Sequence, residues 1–191
     1  MSSATGKKTT WQRIARRIRV PLGFAFAALY LWRAHPSRTT LLWSLLLVLP
    51  GLWLRAYASG YVKKNSELAV TGPYAHTRNP LYLGSMLMAF GFAAASRRWE
   101  ILVIFAVLFF AIYLPTIFSE EEFLRSAFPG FADYAARVPR LLPRITPAPA
   151  PQGEAGAFSG ALYLRHREYN ALMGVAALYA ALALRMFFAT R

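Results

Sequence analysis

TGPYAHTRNPLYLG, residues 71–84, packs a turn, a polar cluster and a helix start into one short stretch. Gly72-Pro73 is turn-forming, Tyr74, His76, Arg78 and Asn79 are polar or cationic, and Pro80 opens an apolar run. Proline is favoured at the first helical position because its missing N–H is one of the unpaired donors there anyway. A helix is therefore expected from Pro80, with its positive end facing the polar cluster. The run is apolar enough to enter a membrane, so the stretch reads as a polar pocket at a membrane boundary.

Composition points the same way. Of 191 residues, 57% are hydrophobic and only 16% charged, and the mean hydropathy is +0.34. An integral membrane protein with one all-α domain is expected. The net charge of +14 does not indicate nucleic acid, because the basic residues lie between apolar runs and form no single stripe. With no cysteine, disulfides, thiol catalysis and Cys-ligated metals are excluded. His35, His76 and His166 stand apart in sequence, so no metal site is expected.

Residues 1–19 form a basic segment in which Arg13, Arg16, Arg17 and Arg19 back an apolar stripe of Trp11, Ile14, Ala15 and Ile18. It reads equally as a helix lying on anionic lipid or as the positive flank of the first span. No A-x-A-like exit follows the first apolar run, which argues against a cleaved signal peptide. About five spans are expected, at Val20 to Ala34, Thr39 to Ala58, Leu81 to Ala95, Trp99 to Phe118 and Tyr169 to Phe188. The second, fourth and fifth have the roughly 20 residues that cross a bilayer, and the other two borrow interfacial Trp, Tyr and Arg at their ends. His35 to Arg38 and Ser96 to Arg98 are tight turns.

Lys and Arg accumulate on cytoplasmic loops. An inside N-terminus puts 16 of the 22 basic residues on that side, among them Lys7, Lys8, Arg55, Lys63, Arg78, Arg140 and Arg144. The 71–79 loop and the segment after Phe118 then share the cytoplasmic face. Pro115 should kink or end the fourth helix. Glu120, Glu121 and Glu122 follow, three of the eight acidic residues, where the chain leaves the bilayer. Taken alone they are a solvated helix end. Near an anionic leaflet they need a cationic neighbour, which Arg78 or a cationic ligand can supply. Pro129-Gly130 breaks the helix, Phe131 to Arg137 makes a short amphipathic one, and Val138-Pro139-Arg140 ends it in extended backbone. The result is a cap able to fold over Tyr74 to Asn79.

GPYAHTRNPLYLG, followed one helical hairpin later by EE-x-x-L-x-x-x-F, the Phe131/Tyr134 pair and VPR-x-x-P, resembles the isoprenylcysteine carboxyl methyltransferase and phospholipid methyltransferase superfamily of membrane proteins. The likeness covers about Gly60 to Pro143. It implies S-adenosyl-L-methionine bound at the cytosolic end of the core helices under the cap, and a lipid-side opening for an amphiphilic substrate. Carried over by position, it implies a cofactor site walled by Gly72, Pro73, Tyr74, His76, Arg78, Asn79, Pro80 and Tyr82, closed by Glu120, Glu121 and Tyr134. Arg78 and Glu121 are the residues expected to carry the chemistry, although three consecutive glutamates leave the contacting carboxylate open. Asn79 stands where the family commonly has histidine; it keeps a donor and an acceptor but cannot become cationic. Phe131 stands where many members have tyrosine.

These residue types suit methyl transfer, which depends on alignment more than on proton shuttling. Arg78 has the fork geometry for a carboxylate, which outweighs its alternative as an interfacial anchor, whereas His76 reads about as well as a solvated loop histidine. The acceptor is left open among a prenylated cysteine carboxylate, a phospholipid amine and a small thiol. Two other functions compete: a nicotinamide-dependent membrane reductase of similar core fold, and a non-catalytic membrane scaffold. The expected organisation is the basic segment 1–19, a methyltransferase core 20–144, a mobile Pro/Ala/Gly-rich linker and basic flank 145–168, and an accessory membrane helix 169–191.

Overall fold

Ser37 closes a capping box with Thr40, each side chain bonded to the other's backbone N–H, and this fixes the start of the first long helix. The computed structural model of the chain describes residues 25–63, 66–150 and 156–189, and every regular element among them is helical. We label them α1 (residues 25–33), α2 (Arg38–Ser59), α3 (Pro80–Ala95), α4 (Trp99–Ala127), α5 (Phe131–Arg137), α6 (Gly160–Arg165) and α7 (Tyr169–Ala189). A 3-10 turn, Gly72–Ala75, precedes α3. The basic segment 1–19 and the first residues of the expected first span lie outside the described residues.

Among the described residues, three helices are long and apolar enough to cross a membrane: Arg38–Ser59, Trp99–Ala127 and Tyr169–Phe188. Large apolar side chains such as Leu46, Trp53, Val107, Phe110, Met173 and Phe188 point outward from them, as lipid contact requires. The chain is a multi-pass helical membrane protein. α3 begins at Pro80 as expected, but its 16 residues rise only about 24 Å, less than the roughly 30 Å of a bilayer core.

Helices α2 and α3 touch through glycines. A Cβ on Gly84 would stand 2.6 Å from the carbonyl oxygen of Gly51, one on Gly51 equally close to that of Gly84, and one on Gly91 2.6 Å from Val48. In lipid, where no hydrophobic force draws helices together, such close backbone approach is what association rests on. At one end of the bundle the turns before α2 and α4 meet, His35 N–H donating to Ser96 at 3.0 Å. Tyr30, Ala34, Ala93, Ile101 and Leu182 make a core there, and the Arg185 guanidinium of α7 donates to the Leu31 and Trp32 carbonyls at the end of α1. The opposite, capped end carries residues 60–63, 66–79, 128–150 and 156–168.

Two expectations change. Pro115 does not end the fourth helix, which runs on to Ala127; a π turn at Phe109–Tyr113, where Leu114 N–H donates to Phe109, widens the helix just before the proline. An extra residue per turn is one of the known ways a helix absorbs such a break. Part of the stretch read as a mobile linker is also packed. Ala148 is buried in the cap, and Phe158 lies on Tyr57, 6.1 Å away and near-parallel. Arg55 of α2 forms a 2.9 Å ion pair with Glu168 just ahead of α7, which the linear sequence separates by most of the chain.

The helix pair is the most sensitive element of this packing. Gly84→Val is expected to destabilise the protein by about 1–3 kcal/mol, seen as a lowered unfolding midpoint in detergent. Gly160→Ala, where an added Cβ meets nothing within 4 Å, should leave the midpoint in place.

Candidate active site

Gly72 adopts φ +58, the left-handed region that glycine tolerates, and an added Cβ would stand 2.6 Å from the Tyr61 ring. This turn delivers a buried run of Pro73, Tyr74, Ala75, Thr77, Asn79 and Pro80. After α5 the chain lies along that run. Arg78 N–H donates to Pro139, Arg144 N–H to His76, and Ala148 N–H to Ala75, each at 2.9 Å. Thr77 Oγ1 donates to the Arg140 and Leu141 carbonyls at 3.2 and 3.1 Å. Pro139, Pro143 and Pro147 have no N–H and hold this returning segment out of helix.

Behind that pairing lies a charged cluster centred on the buried carboxylate of Glu121. Asn79 Nδ2 donates to its Oε1 at 3.2 Å, and Arg140 Nε to its Oε2 at 3.0 Å. Arg78 Nε stands 3.3 Å from Oε1 but is buried with no hydrogen-bond partner. Asn79 uses its second amide hydrogen on the Arg140 carbonyl, 2.9 Å away, so its side chain braces the cap and does not cap α3. Burial pulls the Arg78 guanidinium below its ordinary value, with Glu121 opposing and Arg140 adding to the shift; arginine nonetheless stays cationic. Tyr134 donates to the Tyr74 carbonyl at 2.8 Å. Burial pushes both phenols up, so they act as neutral groups.

The 72–77 run also lines a cavity of about 620 Å³. Pro50, Trp53, Leu54 and Tyr57 of α2 and Leu83 and Leu87 of α3 line it, together with Gly72, Pro73, Ala75, His76, Thr77, Pro143 and Pro147. No residue in that wall is formally charged. Leu87 lies about 10 Å along α3 from Pro80 at the helical rise, so the cavity reaches from the 72–77 turn down between α2 and α3.

The sequence-derived candidates thus fall into three places. Gly72, Pro73 and His76 line the cavity. Arg78, Asn79, Glu121 and Tyr134 belong to the buried cluster, with Tyr74 and Pro80 packed between. Tyr82 and Glu120 form an exposed pair at 3.0 Å, and Glu122 is exposed. Of the three glutamates, Glu121 faces inward. His76 Nδ1 pairs with the Arg144 carbonyl at 2.8 Å, which ties the cap down. Arg140 was not singled out from the sequence, though it stands in the VPR motif; it also stacks on Phe118 at 4.4 Å. The α2 wall was missed as well. Its signal was the spacing of Pro50, Trp53, Leu54 and Tyr57 on one helical face.

Exchanging the carboxylates one at a time separates these roles. Glu121→Gln should lower stability by on the order of 3 kcal/mol, because it leaves two guanidinium groups uncompensated. Glu120→Gln, on the exposed pair, should stay within about 0.5 kcal/mol, both read by chemical denaturation in detergent.

Residues 40–130 match the family model described as phospholipid methyltransferase, and over those residues the resemblance read from the sequence is borne out. The chain is also similar to the cobalt-zinc-cadmium resistance protein CzcN of Cupriavidus metallidurans, 39% identical over 95 residues, or 50% of this chain and 43% of that protein. The nickel-cobalt-cadmium resistance protein NccN of Alcaligenes xylosoxydans xylosoxydans is 38% identical over 95 residues, 50% of this chain and 44% of its own length. The match therefore spans less than half of either relative. No solved structure matches the chain.

Proposed function

We propose that this chain, whose residues 40–130 match the phospholipid methyltransferase family, transfers a methyl group from S-adenosyl-L-methionine to an amphiphile held in the membrane. The observation that carries the reading is one of adjacency: residues of the 72–77 stretch line an uncharged cavity, and the next two residues, Arg78 and Asn79, enter the Glu121 cluster.

The residues suit the cofactor. Arg78 Nε, 3.3 Å from Glu121, is a buried donor without a hydrogen-bond partner, of the kind an amino-acid carboxylate accepts. The group supplies an electrophilic methyl on a sulfonium whose sulfur leaves neutral. Arg78 and Glu121 are the contacting residues in this proposal, with Gly72, Pro73, Tyr74, His76, Asn79, Pro80, Tyr82, Glu120 and Tyr134 around them. Glu121 puts negative charge beside a positively charged group, Asn79 and Arg140 orient that carboxylate, and Tyr134 with Phe131 closes the cap against water. Asn79 moves no proton and none is required of it, since alignment supplies most of the rate.

The acceptor's apolar part lies in the cavity between α2 and α3, with its reactive head at the 72–77 turn. The capped end is cytoplasmic in this reading, on the loop-charge asymmetry. The metal resistance in the relatives' names gains no support from the described residues, which hold no group of three or more His, Cys, Asp or Glu able to bind an ion.

Calorimetric titration of the detergent-purified protein with S-adenosyl-L-methionine and, separately, with NADPH tests the class. Binding of the first alone is expected, weakened at least tenfold by Arg78→Ala, or about 1.4 kcal/mol. NADPH binding alone would make the protein a reductase, and binding of neither by the folded protein would favour a scaffold. Leu54→Trp, which narrows the cavity, should raise the KM of long-chain acceptors at least tenfold while the cofactor Kd stays within twofold. The reverse pattern would put the cofactor, and not the acceptor, in the cavity.

A further inference from the structure

Among the described residues the most exposed large apolar side chains are Ile145, at 98%, and Leu142, at 75%. Neither lies on a membrane-spanning helix; both project from the turn that follows α5. That turn has no freedom to fold them inward. Its backbone is held by Thr77 at the Arg140 and Leu141 carbonyls, by the paired backbones of Arg144 and His76, and by Arg144 Nη1 donating to the Arg137 carbonyl at 2.9 Å. Pro139 and Pro143 stiffen it further.

The depth of this turn follows from α3. Sixteen residues rise about 24 Å against a hydrocarbon core of roughly 30 Å, so Pro80 is drawn to the membrane boundary or inside it. Residues 76, 77 and 79, just ahead of Pro80, are bonded to the 140–144 backbone, which sets that turn at the same level. The lipid-facing surface is continuous up to it: Arg140 stacks on Phe118, and Phe118 and Phe123 of α4 are both exposed. From Tyr134 to Ala150 the chain has three arginines, Arg137, Arg140 and Arg144, and no acidic residue. Such a strip suits an anionic leaflet.

We propose that the turn 140–145 is a membrane-interface anchor, with Leu142 and Ile145 inserted among acyl chains and Arg140 and Arg144 at anionic headgroups. The opposite side of the same turn, through Pro143, lines the cavity. The anchor therefore fixes the cavity rim at headgroup depth. This placement stands apart from the reaction the cavity serves.

The absence of cysteine makes the test direct. Leu142→Cys and Ile145→Cys are labelled with a nitroxide in the full chain, reconstituted in phosphatidylcholine vesicles containing one quarter phosphatidylglycerol. Leu46→Cys on the outward face of α2 and Ala136→Cys on the exposed side of α5 serve as references. Power saturation in oxygen and in a water-soluble nickel chelate should rank positions 142 and 145 with Leu46, several-fold more accessible to oxygen than to nickel. Nickel accessibility equal to that at position 136 would put the turn in water and overturn the anchor. Low accessibility to both reagents would mean that protein, from this chain or a second copy, covers it, which equally overturns the proposal. In vesicles of phosphatidylcholine alone, nickel accessibility at 145 is expected to rise at least twofold, and no change would remove the arginines from the assignment.

Discussion

A carboxylate withdrawn from water has to be compensated, and Glu121 is compensated from three sides. Arg78 and Asn79 reach it from the turn before α3, and Arg140 from the segment after α5. Three stretches that are distant in the chain are thereby brought together at the capped end. The pairing of residues 75–79 with 139–148 follows, because Asn79 spends its second amide hydrogen on the Arg140 carbonyl. Removing the negative charge would leave a cluster of like charges beneath the cap, where burial already works against the Arg78 cation.

The same stretch serves two chemical environments. On the cluster side, charge, hydrogen bonds and neutral phenols are packed where solvent is scarce. On the cavity side, prolines, aliphatic residues and the faces of Trp53 and Tyr57 present an apolar surface. In the proposed reaction an amphiphile and a zwitterionic cofactor would take those two environments, which stand one short segment apart. Proximity of this kind needs no moving part, because the 3-10 turn is pinned from both sides.

Much of this was legible in the sequence, for reasons that are local. Pro80 starts α3 because proline's ring and missing N–H suit that position, and Phe131–Arg137 is a helix bounded by Pro129-Gly130 and Val138-Pro139, as read. The acidic run, which needs a cationic neighbour near an anionic leaflet, has one in Arg78, 3.3 Å from Glu121. What sequence could not supply was long-range. Glycines 51, 84 and 91 are ordinary until a second helix lies against them, and the Arg55–Glu168 ion pair joins residues 113 positions apart. Phe158 gains its place on Tyr57 only once α2 and the strap before α6 are side by side.

The choice among the three glutamates was also hidden, and the π turn explains why. Inserting one residue at Phe109–Tyr113 turns everything downstream by about 100° relative to an unbroken α-helix. Eight residues past that turn, Glu121 points inward, while its neighbours on either side face out. The turn therefore works as a phase setting: it is a matter of counting, independent of which side chains occupy it. A chain with one residue fewer between 109 and 113 and a regular helix there would keep the same carboxylate inward. A single-residue deletion between Thr116 and Ser119 would bring the next position round in its place. Because that next position is Glu122, the run of three glutamates keeps a carboxylate inward through such a shift as well.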